Sequence, residues 1–432
     1  MGMLEKAPSL SVWALGTIAW VLAAAFLVLV ARGLANWLRL WWRLRDVPKA
    51  KPQKSSLLLL DFYKQMSSMG PNVDVKAILG DIKNTTRAFF YDMLKPWMGE
   101  GIVTLNDKPW KARRKAMTPS FHFRILDDYT PIMDKRAGRL VQKLATMSGE
   151  YFDVFPVLRA AVCGVLFDRK EMLKHVEEAR DFVSDVFRKR ITEYRKGFRD
   201  PVSKNSLLEL LVRMCVDEGT LSETEVRDEI LGALEGGFDF TATGLVFALY
   251  LIGHHPEIQD KLRDEIDAAF GDDWEKPLDH EAVKGLTYMD CVLKEALRLY
   301  PPAQLVGRLV TRDTKIGNHV IPRGTLAIIA LYFLHRHPRY IKDPDCFIPE
   351  RFMGAKSMST YAYVPFSAGP RNCLGQKFAL REQKIILTHI LRRFNVSSKV
   401  PMDKLELAIS IVLNPVQGIE LKFTPRTLLS SS

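Results

Sequence analysis

The chain has 432 residues, of which 47% are hydrophobic and 26% charged, and its formal net charge is +12. This composition is typical of a globular protein with a substantial core and excludes a disordered chain. The basic residues are spread along the sequence except for one cluster near the N-terminus, which argues against a nucleic-acid-binding surface. The five cysteines, at positions 163, 215, 291, 346 and 373, show no paired spacing, so a reducing compartment is expected.

The N-terminal part of the chain predicts a membrane anchor. Residues 7–31 form a run of 25 residues without a charge, which is long enough for a helix to cross a bilayer. Seven basic residues and three tryptophans follow between positions 32 and 54, and such a flank is retained on the cytoplasmic side. A signal peptide would have a shorter apolar core followed by a cleavage site of small residues. We therefore predict an anchor with its basic flank at 1–48, in contact with membrane lipids, and one cytosolic domain at 49–432.

The middle of the chain is dominated by helical patterns. Trp110 and Arg114 are spaced to share one face of a helix, although this pentapeptide alone favours an ordinary amphipathic helix with a basic stripe. Ser222 and Glu225 form a capping box that opens a long apolar segment ending before Pro256. A helix of about thirty residues is too long for an ordinary surface helix and is expected to cross the centre of the domain.

Shorter elements follow the long helix. Helices are predicted from Pro256 to about Gly271 and from 289 to 300, and residues 314–322 predict a hairpin that turns at Gly317-Asn318. The second helix carries Glu295 and Arg298 on one face, a pair that is common on solvated helices and gains meaning only from its context. An alternating strand at 419–423 completes a chain that is mostly helical with a minor β component.

The most informative segment is Phe366-Ser-Ala-Gly369-Pro-Arg371-Asn-Cys373-Leu-Gly375. A cysteine thiolate can ligate haem iron, the two glycines permit sharp turns close to a flat cofactor, and Arg371 suits a carboxylate such as a haem propionate. The apolar run after Cys373 predicts a helix whose N-terminus would stabilise the thiolate. A buried cysteine in a turn is the alternative, but five specified positions in ten residues argue against it.

This decapeptide resembles the F-x-x-G-x-R-x-C-x-G signature of the cytochrome P450 family of haem–thiolate enzymes, and the similarity covers most of the chain from about residue 88 onward. The resemblance implies a mainly α fold with small β-sheets, and haem b as the cofactor with Cys373 as the iron ligand. The cofactor-binding residues that it implies in this loop are Phe366, Gly369, Arg371, Cys373 and Gly375.

The resemblance also assigns roles outside the loop. Glu295, Arg298 and Arg351 are expected to form a buried network behind the haem. The further residues expected to contact the haem propionates are Trp110, Arg114, Arg308 and His335. For His335, a satisfied histidine of the core is an open alternative.

The segment for oxygen activation departs from the family pattern, which is Gly-x-Asp/Glu-Thr with the acid and the hydroxyl relaying protons. Asp239 matches the acid, but Phe240 occupies the position of the threonine. Thr241 points about 100° further round the helix and could take over only through a local distortion such as a bulge. Asp239 and Thr241 are therefore the candidate catalytic residues, with weakened coupling of oxygen reduction to product formation.

Within the family, segments at 121–123, 155–159 and 294–301 are similar to the fatty-acid omega-hydroxylase branch. Many members of that branch carry a glutamate that in some of them forms an ester with the haem. Gly236 stands at that position here, and Glu235 lies one residue too early, so covalent attachment is not expected.

Two segments of the family pattern have no counterpart in this chain. No Pro-Pro-Gly-Pro hinge follows the anchor, and between 158 and 181 the chain passes directly to the helix before the long central one. The helices that roof the substrate pocket are therefore expected to be absent or reduced. A more open pocket admits water.

The resemblance, together with the predicted anchor, implies a single-pass protein of the endoplasmic reticulum membrane that hydroxylates fatty acids, related lipids or xenobiotics with O₂. NADPH-dependent cytochrome P450 reductase would supply the electrons, with cytochrome b5 as an optional second donor. An acidic donor could be steered by five basic residues, which could equally be a solvated helix face: Lys377, Arg381, Lys384, Arg392 and Arg393. Two alternatives remain open. Phe240 suggests an isomerase or peroxide-using haem–thiolate enzyme, and the missing roof suggests a truncated haem-binding protein with impaired catalysis.

Overall fold

The structure is a computed structural model that describes residues 71–166, 176–199, 206–271, 273–274, 277–354, 361–408 and 411–426. The predicted anchor and basic flank at 1–48 lie outside the described residues. Within the described residues the helices are α1 (Pro71–Leu79), α2 (Lys95–Met98), α3 (Asp107–Met117), α4 (Phe123–Ala145), α5 (Phe155–Leu166), α6 (Val176–Arg195), α7 (Leu207–Val216), α8 (Glu223–His254), α9 (Pro256–Phe270), α10 (His280–Gly285), α11 (Thr287–Leu299), α12 (Leu331–Leu334) and α13 (Gln376–Arg393).

The strands are short, and they are β1 (Tyr151–Asp153), β2 (Leu305–Leu309), β3 (Thr314–Ile316), β4 (His319–Ile321), β5 (Leu326–Ala330), β6 (Phe394–Ser398), β7 (Leu407–Ala408), β8 (Asn414–Pro415) and β9 (Glu420–Pro425). One sheet has three strands in the order β1-β9-β6, and the pairs β2-β5, β3-β4 and β7-β8 form two-stranded sheets, all antiparallel. The predicted hairpin is confirmed, with Gly317 at a φ of 56° in its turn. The mainly helical architecture with small sheets is confirmed as well.

Helix α8 is the central element of the described chain. Its start is closed by the predicted capping box, in which the Glu225 N–H donates to the Ser222 hydroxyl and the Ser222 N–H donates to the Glu225 carboxylate. It packs against α5, α11, α13 and β6, and every residue from Thr241 to Ile252 is buried. Its most apolar stretch is long enough to span a membrane, but 67% of that stretch is buried inside the protein, as expected for a core helix.

The apolar residues form three clusters around this helix. The largest joins α4, α5, α9, α11 and α13 to the second half of α8 and to the three-stranded sheet. A second joins α6 and α7 to the first half of α8. The third packs α1 against β2, β3 and β5. Helix α8 is therefore shared by two clusters, and a substitution at its centre is expected to affect the packing of both.

The expected network of Glu295, Arg298 and Arg351 is present and buried. Glu295 and Arg298 are both 0% exposed, and the guanidinium group donates to both carboxylate oxygens at 2.8 Å. Arg351 Nε donates to Glu295 Oε1 at 3.1 Å, and the Ile348 N–H donates to the same oxygen at 3.0 Å. Arg298 also donates to the carbonyls of Pro344 and Cys346 and so ties α11 to the segment that follows α12.

Most of the five basic residues of α13 that were predicted to form a cationic surface are not exposed. Lys384 is buried, with Nζ 2.9 Å from an Asp290 carboxylate oxygen, and Arg392 is 0% exposed. Arg381 pairs with an aspartate of α4 at 2.8 Å. Only Lys377 among these four is exposed. Most of this charge serves packing between helices, because α13 is covered by α4, α9 and α11.

Replacing Glu295 with glutamine should lower the free energy of unfolding by about 3–5 kcal/mol, because two buried guanidinium groups lose their carboxylate. Urea denaturation of the purified protein measures this. The control is Asp185→Asn, which breaks the exposed pair with Arg188 at the same spacing of three residues and should cost less than about 1 kcal/mol. Equal effects of the two substitutions would contradict the structural role assigned to Glu295.

Candidate haem site

The Cys373 loop is a compact turn between the third apolar cluster and α13. The Cys373 N–H donates to the Phe366 carbonyl at 2.9 Å, and the Asn372 N–H donates to the Gly369 carbonyl at 3.1 Å. Gly369 has a φ of 69°, and a Cβ there would lie 1.9 Å from the Leu79 carbonyl oxygen. A side chain at this position is therefore excluded, both by the backbone conformation and by the close approach of α1.

Gly375 differs from Gly369. Its φ of −86° is open to any residue, and the nearest atom to a Cβ there is 4.0 Å away on Phe121. The described protein therefore does not require a glycine at 375, so the expected reason, close approach to a flat cofactor, remains a prediction.

The Cys373 thiol opens onto a cavity of about 460 Å³. The side chain is accessible to solvent, yet the surrounding protein is dense enough for burial to raise its pKa. The N–H groups of Gly375 and Gln376 at the start of α13 lower that pKa, as does Arg114. The helix N-terminus thus acts in the expected direction, but burial outweighs it. A bound metal cation would deprotonate the thiol outright. The cavity is lined by Arg114, Thr118, Phe121, His122, Asn372, Cys373, Leu374, Gln376 and Lys377.

Arg371 belongs to the Cys373 loop, and its guanidinium group stacks on Trp110 of α3. Its guanidinium carbon is 4.0 Å from the centroid of the buried Trp110 ring. It donates to the carbonyls of Thr85 at 2.9 Å and Leu105 at 2.7 Å, while its Nη1 is buried and has no partner among the described residues. Burial, together with the charges of neighbouring Arg87 and Arg308, lowers its pKa to about 8.

The three guanidinium groups form a cationic cluster, defined as Arg87, Arg308 and Arg371. A bridge joins residue 87 to β2 at Arg308, whose pKa is lowered to about 10 by burial and by Arg87. Each of the three arginines holds a buried N–H that finds no acceptor among the described residues. Like charges with unsatisfied donors are stable together only beside an anion. The two carboxylates of haem b fit this cluster.

Arg114 and His335 have hydrogen-bond partners in other parts of the site. Burial lowers the pKa of Arg114, and so does the charge of Arg87 in the cationic cluster. Arg114 donates to the Asn372 carbonyl and to its side-chain oxygen, at 2.6 and 2.7 Å, and so contacts the Cys373 loop directly. His335 is 0% exposed and accepts a hydrogen bond from the Val364 N–H at 3.0 Å. Burial lowers its pKa to about 3, so the ring is neutral. Its other ring nitrogen, Nδ1, is buried and has no partner among the described residues, so both the contact with haem and the position in the core stay predictions.

The predicted oxygen segment lies at the only open stretch in the middle of α8 that the described residues show. Gly236 is exposed and 237–240 are half-buried, whereas the residues on either side are buried. Asp239 forms an ion pair with Arg159 of α5, at 2.5 Å. The helix is a continuous α-helix through this stretch, so the bulge that Thr241 would need is absent. Thr241 is 3% exposed, and its carbonyl accepts from Gln383 Nε2 of α13 at 3.0 Å.

A cysteine that faces a cavity, a loop that begins a helix beside it and a buried cluster of unsatisfied arginines define a haem–thiolate protein. Comparison with known families gives the same answer, since the model of the cytochrome P450 family matches residues 64–169 and 164–423. The chain belongs to the cytochrome P450 family. With it come the family's haem b, held through a cysteine thiolate, and its monooxygenase activity.

The curated relatives belong to family 4 by name, which confirms the resemblance to the omega-hydroxylase branch. Cytochrome P450 4V2 of Rattus norvegicus is 32% identical over 510 positions that cover 96% of this chain and 97% of the relative. Cytochrome P450 4c3 of Drosophila melanogaster is 32% identical over 419 positions, covering 82% and 78%. Cytochrome P450 4V2 of Homo sapiens is also 32% identical, over 94% and 95%.

The comparisons bear on the missing segments as well. An alignment of 510 positions is longer than this chain of 432 residues, so the relative contains segments without a counterpart here. The family match is also divided in two, and the two parts meet at 164–169. This is where the sequence indicates that helices over the substrate pocket are reduced.

Arg87 was not found by sequence reasoning. It stands in an unremarkable Thr-Thr-Arg-Ala segment with no motif around it, and only the bridge to β2 brings it beside Arg308 and Arg371. The only available signal was that residue 87 is basic, and the chain has many basic residues.

Replacing Arg87 with leucine should lower the affinity for haem about tenfold, because a charge-assisted hydrogen bond to a propionate is lost. The stability of the haem-free protein should not fall, since the substitution relieves repulsion from Arg308 and Arg371. Titration of the haem-free protein with haemin, with urea denaturation in parallel, measures both quantities. Arg312→Leu is the matched control, because that arginine pairs with Asp81 at the surface and should leave haem affinity unchanged. A less stable haem-free protein with unaltered affinity would contradict the assignment.

Proposed function

We propose that this protein is a membrane-anchored monooxygenase that hydroxylates lipophilic substrates, fatty acids or related lipids first among them, at the endoplasmic reticulum. The observation that carries the proposal is the cationic cluster of unsatisfied arginines beside the cavity-facing Cys373. Similarity to family 4 relatives supports the substrate class, and the uncharged run at 7–31 with its basic flank supports the anchor at 1–48. The domain at 49–432 would then face the cytosol.

Each site residue has a specific task in this proposal. Haem b, when bound through Cys373, supplies the oxygen chemistry. Arg371, Arg308 and Arg87 hold the propionates, and Trp110 supports Arg371 from behind. Phe366, Gly369 and Gly375 shape the loop so that the sulfur faces the cofactor. Arg114 fixes the loop through Asn372, and His335 contributes to the core behind it.

Asp239 is the proposed acid of the distal side, and its pairing with Arg159 determines its state. Burial raises the pKa of Asp239, and Arg159 lowers it. Thr241 would need a rearrangement of α8 to reach the same face, whereas Phe240 places an aromatic ring where a hydroxyl is usual. Proton delivery therefore depends on Asp239 without the adjacent hydroxyl.

Electrons would come from an NADPH-dependent cytochrome P450 reductase, with cytochrome b5 as an optional second donor. The buried state of Lys384 and Arg392 restricts a docking surface on the cysteine side to exposed groups such as Lys377.

A second candidate function follows from Phe240. An enzyme that uses a hydroperoxide or isomerises its substrate needs no delivered protons, so the missing hydroxyl would cost it nothing. Product from an organic hydroperoxide without reductase, and none from reductase with O₂, would favour this candidate over the monooxygenase.

The test of the proposal is the carbon-monoxide difference spectrum of the reduced protein, followed by turnover of fatty acids with reductase and NADPH. A red-shifted Soret band that is lost in Cys373→Ser, together with a hydroxylated product, is the expected result. A protein that binds haem but shows no spin-state shift with a substrate-like ligand and forms no product would instead fit the truncated, catalytically impaired haem-binding alternative.

Replacing Phe240 with threonine should raise the amount of product formed per NADPH consumed, because the hydroxyl restores an acid–alcohol pair with Asp239. The measurement compares product, NADPH oxidation and hydrogen peroxide in the two proteins. Phe240→Val, which removes the ring without adding a hydroxyl, is the control for pocket volume. Equal gains from valine and threonine would show that space, not the hydroxyl, limits coupling.

A further inference from the structure

A second carboxyl group lies one turn before Asp239 on α8. Glu235 is 9% exposed, and its spacing of four residues places it on the same face of the helix as Asp239, with about 5–6 Å between their Cβ atoms. This distance is suited to proton transfer through one bridging water. The role so far assigned to the distal side does not use Glu235.

The two carboxyl groups differ in their partners. Asp239 is held by Arg159, and no ion pair of Glu235 is found among the described residues. The charged groups that act on Glu235 from the described elements are Asp239 on its own helix and Arg159 on α5. Burial, and secondarily the charge of Asp239, raise the pKa of Glu235 to about 7, against the opposing effect of Arg159. Asp239 has an ion pair that favours its charged form, whereas Glu235 has a pKa that lets it bind and release a proton near neutral pH.

The open stretch of α8 lies immediately beside this pair. A Cβ at Gly236 would meet no atom within 4 Å, so solvent reaches the helix next to Glu235. Phe240 supplies no hydroxyl on this stretch, and Thr241 is buried, with its carbonyl bonded to Gln383 of α13. The pair of carboxyl groups is thus the proton-carrying arrangement that the described part of α8 offers between solvent and the distal side.

We propose that Glu235 supplies protons to Asp239 during oxygen-dependent turnover, an inference that rests on the proposed monooxygenase function. The reaction consumes one O₂, two electrons from the reductase and two protons for each hydroxylated product, and it releases one water. Glu235 gives a proton to the Asp239 carboxylate and regains one from solvent beside Gly236. It acts through Asp239 and needs no contact with the cofactor.

The test compares wild-type protein with Glu235→Gln, which keeps the shape of the side chain and removes its titration. Turnover with reductase, NADPH and O₂ should fall roughly tenfold, and the decline of the wild-type rate as pH rises through 7 should disappear. Turnover with an organic hydroperoxide should be unchanged, because that route converts substrate and hydroperoxide to two alcohols without added protons or electrons. An equal loss on both routes would show a structural role and overturn the proposal.

Infrared spectroscopy of the ferric protein gives a readout that is independent of activity. The absorbance of protonated carboxyl groups that titrates near pH 7 should decrease in Glu235→Gln, and an undiminished absorbance in this variant overturns the proposal. Glu229→Gln is the matched control. Its carboxyl lies on the same helix with a pKa also raised to about 7 by burial, so it loses a similar band but should keep the pH dependence of turnover.

The two sources of failure are separable. Hydroperoxide-driven product with a red-shifted carbon-monoxide band, but with O₂-driven rates that are equal in wild type and Glu235→Gln, overturns the role of Glu235 and leaves the proposed function standing. Absence of the band and of product on either route withdraws the proposed function itself. In that case the infrared comparison still decides whether Glu235 carries the proton at neutral pH, and a negative result there overturns the inference independently.

Discussion

The buried carboxylate of Glu295 is the contact on which the cysteine side of the molecule depends. It receives two hydrogen bonds from Arg298, one from Arg351 and one from the Ile348 N–H, all in a region closed to solvent. An unpaired charge in that position would be costly, so the four hydrogen bonds are kept together or lost together. The network joins α11 to the chain that leads into the Cys373 loop. The network thus braces segments that precede the Cys373 loop, and it takes no part in the chemistry.

The haem site itself is electrostatically incomplete without its ligand. Arg87, Arg308 and Arg371 repel one another, and each retains a buried N–H with no acceptor among the described residues. Folding brings these charges together at a cost that a dianion can offset. The Cys373 thiolate also needs a counter-charge, in this case a positive one, because burial opposes ionisation of the thiol until a metal cation is bound. Both features favour the binding of a cofactor that carries a metal cation and two carboxylates.

The distal side, around Asp239, differs from the cationic cluster because its charges are paired within the protein. Arg159 reaches from α5 to Asp239, and Glu235 remains as a buried acid one turn away. The ring of Phe240 occupies the place of a hydroxyl on a helix that stays continuous. The helix that carries these carboxyl groups is open to solvent at Gly236.

Local pattern in the sequence was enough to predict much of the fold and the centre of the site. The capping box at Ser222, the hairpin turn at Gly317 and the helix after Cys373 are each defined by neighbours within a few residues, where backbone hydrogen bonding is decided. The chemistry of a lone cysteine among glycines and an arginine identified the ligand for the same reason. These features require no knowledge of what packs against them.

Tertiary structure alone decided the partners and charge states. The sequence did not show that Arg87 lies beside β2 or that Arg159 pairs with Asp239. It also led to the prediction that Lys384, which is buried, belongs to an exposed cationic face. Such contacts join residues far apart in the chain, and pKa values follow from burial and charge in three dimensions. The sequence by itself determined the family, the expected iron ligand and most helices, because these depend on local geometry and on residue chemistry. Which acid carries a proton, and which arginines lack a counter-charge, depended on packing.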